Sequence, residues 1–322
     1  MGDRAPKRIL YLGGTGEISA ACVAESLSRG DHVTVLNRGS AAPPEGVEHI
    51  KADMWSDGWA DELKGYRFDL VCQFMSFGPE DIARDAAGLA EVCDRYVFIS
   101  TACVYARPEV PDPELRLITE SSPVGNPHSA YGRNKQAAED AVRDAESRGV
   151  WKATIVRPSH TYRRYLPCPI IPFDEFARRA LAGQAVPCHT VNGEVTRWAV
   201  THAGDFARWF AALVADERSA GETFNLVSEV SHPWDEILRR GMDALGARSE
   251  IEYLDIEQIV NEQPDRAEQL YGDMALSVQF DCSRVRDMIA DALFERPLEA
   301  GLSEAACAVR RRLTDPIRTA DR

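Results

Sequence analysis

A doubly wound α/β fold, a parallel sheet with helices on both faces, is predicted by three features of the first 158 residues. Apolar, β-branched runs alternate with stretches of helical spacing. One of those runs, FDLVCQF at residues 68–74, is apolar throughout, as a strand covered on both faces must be. A glycine-rich turn joins the first strand to the first helix.

The elements follow in order. Arg8 to Leu12 is a short apolar strand that ends in glycines, and Ile18 to Arg29 has helical spacing. His32 to Leu36 is β-branched and apolar, and Val47 to Lys51 is a third short strand. After FDLVCQF come a helix at Pro79 to Cys93, a strand at Arg95 to Ser100, a long helix at Ser129 to Gly149 and a strand at Trp151 to Arg157. Beyond Pro158 the pattern loosens, with prolines at 158, 167, 169, 172 and 187. Helical spacing returns at Phe173 to Ala182, Ala203 to Ala215, Pro233 to Leu245 and Ser303 to Leu313. Short strands are expected at Arg197 to Thr201, Thr223 to Val227 and Ala275 to Phe280. Residues 1–158 are therefore expected to form the sheet-bearing domain. Residues 159–322 are expected to form mainly a smaller substrate lobe, some of whose segments return to the sheet.

Composition narrows the function classes. The net charge of −14 and the lack of a basic stripe argue against nucleic-acid binding. Arg310-Arg311-Arg312 reads as the last turn of a helix, where cations suit the dipole. No apolar run is long enough to span a bilayer, and the polar N-terminus lacks a signal-peptide core, so a cytoplasmic protein is expected. The eight cysteines show no CxxC pair and no zinc-ligand spacing, which predicts reduced thiols and no metal site.

The turn in RILYLGGTGEISAACVAESL carries chemistry. Gly13 permits a tight turn, Gly16 lets the backbone approach a pyrophosphate, and the following helix offers free N–H groups to its charge. This is the fingerprint of a dinucleotide cradle when it lies between a strand and a helix. The second strand ends in Asn37-Arg38, where an acid would bind the ribose hydroxyls of NAD. An arginine there can pair with a 2′-phosphate, so NADP is favoured over NAD. Asp53, after the third strand, is placed to accept from an adenine amino group, or to cap its loop. Tyr131 and Lys135 stand at i and i+4, on one face of a helix. A nearby ammonium and a positive nicotinamide ring would lower the pKa of the phenol, about 10 when unperturbed, and make Tyr131 the base in hydride transfer.

These segments, with LNRG, KADM, FISTACVYA, SAYGRNKQAAE, RPSHTY and TRWAVTHAGDFA, resemble the extended short-chain dehydrogenase/reductases, the NAD-dependent epimerase/dehydratase family. The resemblance runs from residue 9 to about 229. It implies a Rossmann domain that binds NAD(P) and a C-terminal lobe that binds a sugar, nucleotide sugar or nucleoside. It places the catalytic hydroxyl on Thr101 beside Tyr131 and Lys135. It sets Pro158 and Ser159 against the nicotinamide, His160 near substrate, and Arg197 on a substrate phosphate. Thr15, Glu17, Ile18, Met54 and Phe74 complete the expected cofactor contacts. The helices at 79–93 and 129–149 match those that pair in family homodimers.

Four positions depart from the family pattern. Ser19 stands for the third glycine, and Glu17 for an aromatic or apolar residue. Arg163-Arg164 replace Gly-Pro, and Ala102-Cys103 replace the Asp-Glu of many dehydratases. Glu17, near a pyrophosphate, is expected to have a raised pKa and to act as an extra acid/base. The leading expectation is a sugar epimerase working through a transient ketone. A dehydratase using Glu17 or Cys103 and a one-way NADPH reductase are the enzymatic alternatives. A regulatory or RNA-associated binding protein is the non-enzymatic one.

Overall fold

The computed structural model describes residues 5–290 and 295–314. In the first half the elements are Arg8–Leu12 (β1), Glu17–Ser28 (α1), His32–Asn37 (β2), Glu48–Lys51 (β3), Leu70–Gln73 (β4), Pro79–Leu89 (α2), Arg95–Ile99 (β5), Asp112–Ile118 (β6), Ala130–Ser147 (α3) and Lys152–Arg157 (β7). Then come His160–Tyr162 (β8), Phe173–Leu181 (α4), Val186–Thr190 (β9), Arg197–Trp198 (β10), Val200–His202 (β11), Ala203–Ala215 (α5), Thr223–Asn225 (β12), His232–Pro233 (β13), Trp234–Ala244 (α6), Ile251–Asp255 (β14), Ile256–Glu262 (α7) and Leu276–Phe280 (β15). A last long helix spans Leu298–Thr314.

Seven strands form one sheet in the order β12-β7-β5-β4-β1-β2-β3, with every pairing parallel. The alternation of side chains along β1 explains why both faces are covered. Ile9 and Tyr11 join the core beneath α1 and the C-terminal lobe, while Leu10 and Leu12 join the core beneath α2 and α3. Central strands β4 and β5 are buried along their whole length, whereas three of the four residues of edge strand β3 are exposed. This is the doubly wound parallel fold expected from the sequence. Strand order reverses between β1 and β4, which opens a crevice at their C-terminal ends, where ligands bind in such sheets.

Residues after 158 contribute directly to this unit. β12 pairs with β7 at the sheet edge, and α5 packs on α1. The remaining strands form four two-stranded pairs, β8 with β11, β9 with β14, β6 with β15 and β10 with β13. Several of them, β6, β8, β9 and β14, lie where no strand was expected. β6 and β14 expose much of their surface and so show little apolar alternation, and β9 carries Pro187. The helix expected at Pro79 to Cys93 ends at Leu89, and the last helix begins at Leu298, five residues before the expected Ser303. Among the described residues every cysteine is free, no His/Cys/Asp/Glu cluster could hold a metal, and no helix is long and apolar enough to cross a membrane.

Candidate active site

The crevice begins at the turn after β1. Gly13 and Gly14 have φ of +108° and +84°, which an L side chain rarely adopts. A Cβ on Gly14 would come 2.9 Å from Val35. A Cβ on Gly16 would meet only the Ser19 hydroxyl within 4 Å, so this part of the cradle is open to an approaching group. Ser19, at the third-glycine position, has its own role: its hydroxyl accepts the Gly16 N–H at 2.9 Å and steadies the turn. Thr15, Gly16, Glu17 and Ile18 line one wall of a pocket, and Phe74 and Met75 from the end of β4 line another. Phe74 is fixed by packing on Tyr11 and Phe210. A strand-ending glycine turn leading into a helix N-terminus, open at Gly16, fits a dinucleotide pyrophosphate.

The same pocket is completed by Thr101, Tyr131, Lys135, Pro158 and Ser159. Each is placed by an element end. Thr101 follows β5 and caps a short turn, accepting the Cys103 N–H at 3.2 Å. The Pro158 carbonyl, just past β7, accepts the Ala102 N–H at 2.8 Å, which ties the two strand ends together. Ser129 caps α3, so Tyr131 and Lys135 lie in its first turns. Gly132 is required there, because a Cβ at that position would sit 2.3 Å from the Cys103 carbonyl oxygen.

Tyr131 is 42 % exposed, yet its hydroxyl end lies among Thr101, Cys103 and Asp273. Burial of that end, reinforced by Cys103 and Asp273 and opposed by a hydrogen bond with Thr101, pushes the phenol up to about 12. Lys135 is buried. Its Nζ donates to the carbonyls of Ser76 at 2.9 Å and Ile99 at 2.6 Å and lies 4.2 Å from the Phe98 ring centroid. Burial pushes the ammonium down to about 7, against the pull of Glu139 and Asp81. This corrects the expected electrostatics. Lys135 spends its hydrogen bonds on two carbonyls, and desolvation dominates at both groups, so Tyr131 is held as an acid. Ser76 is itself anchored, since Asp85 accepts hydrogen bonds from Ser76, Gln73 and Tyr96.

Glu17 differs from expectation. One oxygen accepts the Arg164 N–H and the other accepts from Arg164 Nε at 2.6 Å. A carboxylate with both oxygens engaged by one arginine is a strut between α1 and the loop after β8, not an available proton donor. Cys103 also loses its place as a candidate acid/base: burial pushes its thiol up to about 12. His160 is pushed down to about 4 by burial, so it is neutral, and it packs edge-on against Trp234 at 5.6 Å.

The other expected contacts lie outside this pocket. Asn37 Nδ2 donates to the Gly13 carbonyl at 3.3 Å, and its Oδ1 accepts the Gly39 N–H at 2.7 Å, so this side chain braces the cradle. Arg38 is exposed and has no ion-pair partner among the described residues. Asp53 caps its own loop, accepting the Trp55 N–H at 3.2 Å. Met54 is buried in the core under α2 and α3, so its side chain does not reach a ligand. Arg197 gives Nη2 to the Ser231 carbonyl at 2.6 Å, which employs part of the guanidinium expected on a phosphate. Arg107 and Asp273 escaped the sequence reading altogether. They lie beside Cys103, with Arg107 Nη2 3.5 Å from the Asp273 carboxylate.

The sheet, the glycine cradle and the Thr-Tyr-Lys constellation define a nicotinamide-dinucleotide oxidoreductase of the short-chain type. The chain belongs to the NAD dependent epimerase/dehydratase family, whose profile matches residues 9–226. Among characterised relatives, it is 30% identical over 249 residues to the 2'-dehydrokanamycin reductase of Streptomyces kanamyceticus, covering 74% of this chain and 67% of that protein. Two solved structures share the fold. The epimerase Mth375 of Methanothermobacter thermautotrophicus has a TM-score of 0.77 at 18% identity, covering 96% of this chain and 93% of that one. The UDP-glucuronic acid 4-epimerase of Bacillus cereus in complex with NAD has a TM-score of 0.73 at 14% identity, covering 94% and 96%.

Proposed function

We propose that this chain is an NADP(H)-dependent oxidoreductase whose net reaction is reduction of a ketone on a sugar or sugar-bearing small molecule. The observation that carries this reading is the Tyr131 hydroxyl, hydrogen-bonded to Thr101 at the mouth of the glycine cradle and kept protonated near neutral pH by a pKa of about 12. The dinucleotide, when bound, supplies the hydride. Tyr131 then donates its proton to the carbonyl oxygen as that oxygen gains charge, and Thr101 holds the oxygen within reach by donating a second hydrogen bond. Lys135 fixes the first turns of α3 against the ends of β4 and β5 and is placed to meet the ribose. The similarity to a reductase supports this direction. Epimerisation through a transient ketone uses the same side chains but must begin with Tyr131 as a base, which its raised pKa opposes. The engagement of both Glu17 oxygens by Arg164 removes the acid that a dehydratase reading relied on.

The NADP preference rests on Arg38, an exposed guanidinium at the end of β2 with no ion-pair partner among the described residues. The test is NADPH oxidation with a panel of keto sugars, by wild type and by Tyr131→Phe. The variant is expected to bind NADPH as wild type does and to lose about 10²–10⁴ in turnover, the usual contribution of a positioned acid. Wild-type-like turnover removes Tyr131 from the chemistry. Calorimetry with NADP and NAD tests the cofactor, and tighter binding of NAD overturns the preference.

A further inference from the structure

Next to the Tyr131 hydroxyl lies a polar pair that the reaction above does not use. Arg107 leaves the turn after β5 and is 5 % exposed. Its Nη2 donates to the Ala102 carbonyl at 3.3 Å and faces Asp273 at 3.5 Å. Its Nε and Nη1 find no hydrogen-bond partner, and neither does Asp273 Oδ1. A buried guanidinium with open donors is costly unless something accepts from it. Asp273 is the more accessible member, with 21 % of its side chain exposed, and it neighbours both Cys103 and Tyr131.

The position of Asp273 is built, not incidental. It lies in a π-helical turn, Leu270–Met274, a geometry frequent at functional sites. Three contacts hold that turn over the start of α3. Asn126 Nδ2 donates to both the Cys103 carbonyl at 3.0 Å and the Gly272 carbonyl at 2.7 Å. Glu268 accepts from the Tyr131 N–H at 3.0 Å and the Ser129 hydroxyl at 3.1 Å. A Cβ on Gly272 would lie 3.0 Å from the Ser129 side chain. The C-terminal lobe thus delivers one carboxylate to the reacting end of the pocket.

We propose that Arg107 and Asp273 are specificity-determining residues that bind a hydroxyl on the carbon next to the reacting carbonyl, so that the substrate class is the α-hydroxy ketone and the product a vicinal diol. A hydroxyl meets both demands at once, because its oxygen accepts from the open Arg107 donors and its hydrogen goes to Asp273 Oδ1. An isolated ketone leaves all three atoms unpaired, and a site built to bond a hydroxyl rejects the analogue that lacks it.

This inference rests on the reductase reading, and the experiment separates the two. NADPH oxidation is measured with 2-hydroxycyclohexanone and with cyclohexanone. Wild type is expected to prefer the hydroxy ketone at least tenfold in kcat/KM. Asp273→Asn is expected to abolish that preference while retaining cyclohexanone turnover and NADPH binding. Arg107→Lys, which keeps the charge but loses the Nε and Nη1 donors, is expected to do the same. An equal fall on both ketones would mean a merely structural role, and a preference that survives Asp273→Asn would overturn the proposal. If neither ketone is reduced, the reductase reading fails, and saturation-transfer NMR on the NADP complex still decides the inference. In that experiment wild type must favour 1,2-cyclohexanediol over cyclohexanol and Asp273→Asn must not; equal binding by wild type, or none, overturns it.

Discussion

Lys135 is expected to make this protein less stable at neutral pH than at alkaline pH, and the size of the effect follows from its burial. Its side chain is 2 % exposed, and its pKa falls from the ordinary 10.5 to about 7. The unfolded chain holds the proton up to pH 10.5, whereas the folded chain releases it near pH 7. Across that window the unfolded state binds more protons, so stability rises with pH, and below pH 7 the contribution is flat. The whole interval corresponds to about 5 kcal/mol, and the part between pH 7 and pH 9 to about 3 kcal/mol, at about 1.36 kcal/mol per pH unit. Lys135→Met removes the titration, together with hydrogen bonds to Ser76 and Ile99 that cost the variant at every pH. The informative quantity is therefore the change with pH of the difference between the two proteins. Scanning calorimetry of the ligand-free proteins at pH 6 and pH 9 should show the wild type gaining roughly 5 °C relative to the variant, taking about 2 °C per kcal/mol for a chain of this size. Melting curves that shift in parallel with pH would refute the reasoning and mean that Lys135 is not held in a desolvated site.

Three further outcomes are expected. Gly132→Ala forces a Cβ to within 2.3 Å of the Cys103 carbonyl oxygen, so a loss of about 1–3 kcal/mol in stability and a fall in turnover are expected, and a wild-type Tm would show that α3 can shift. Glu17→Gln weakens a partly exposed ion pair with Arg164, worth about 1 kcal/mol or less, and should leave turnover within a few-fold of wild type; accumulation of a keto intermediate would restore the acid/base role. Sedimentation velocity at micromolar concentration should show a homodimer formed through α2 and α3, and a monomer alone would refute that pairing.

The sheet was legible because its strands carry their burial in their composition. FDLVCQF and RYVFIS are apolar throughout since both faces are covered, and the β1 turn needs glycines that nothing else in the chain mimics. The Tyr131/Lys135 pair was legible from spacing alone. The edge pairs of the C-terminal lobe were not, because β6 and β14 expose much of their surface and alternate weakly. Glu17 was misread for a different reason. Its partner, Arg164, lies 147 positions away, and no local pattern announces such a contact. Asp273 is the extreme case: its neighbours Arg107 and Cys103 are far off in the chain, and they meet only because Gly272 lets the π-helical turn sit directly on Ser129.

The return of β12 to the sheet bears on how the protein is made. Asn225 follows Arg157 by 68 residues. At ribosomal rates of about 5–20 residues per second, the outer edge of β7 therefore waits roughly 3–14 seconds for its neighbour. During that interval a buried apolar strand, KATIVR, presents an unpaired row of backbone groups, the hazard that sheet edges pose for self-association. The buried hydrogen bond from the Tyr105 hydroxyl to Asn225 Oδ1, 2.6 Å long, is likewise missing until then. A fragment ending near residue 158 would keep that edge open permanently and should aggregate, whereas one extended past residue 226 closes it.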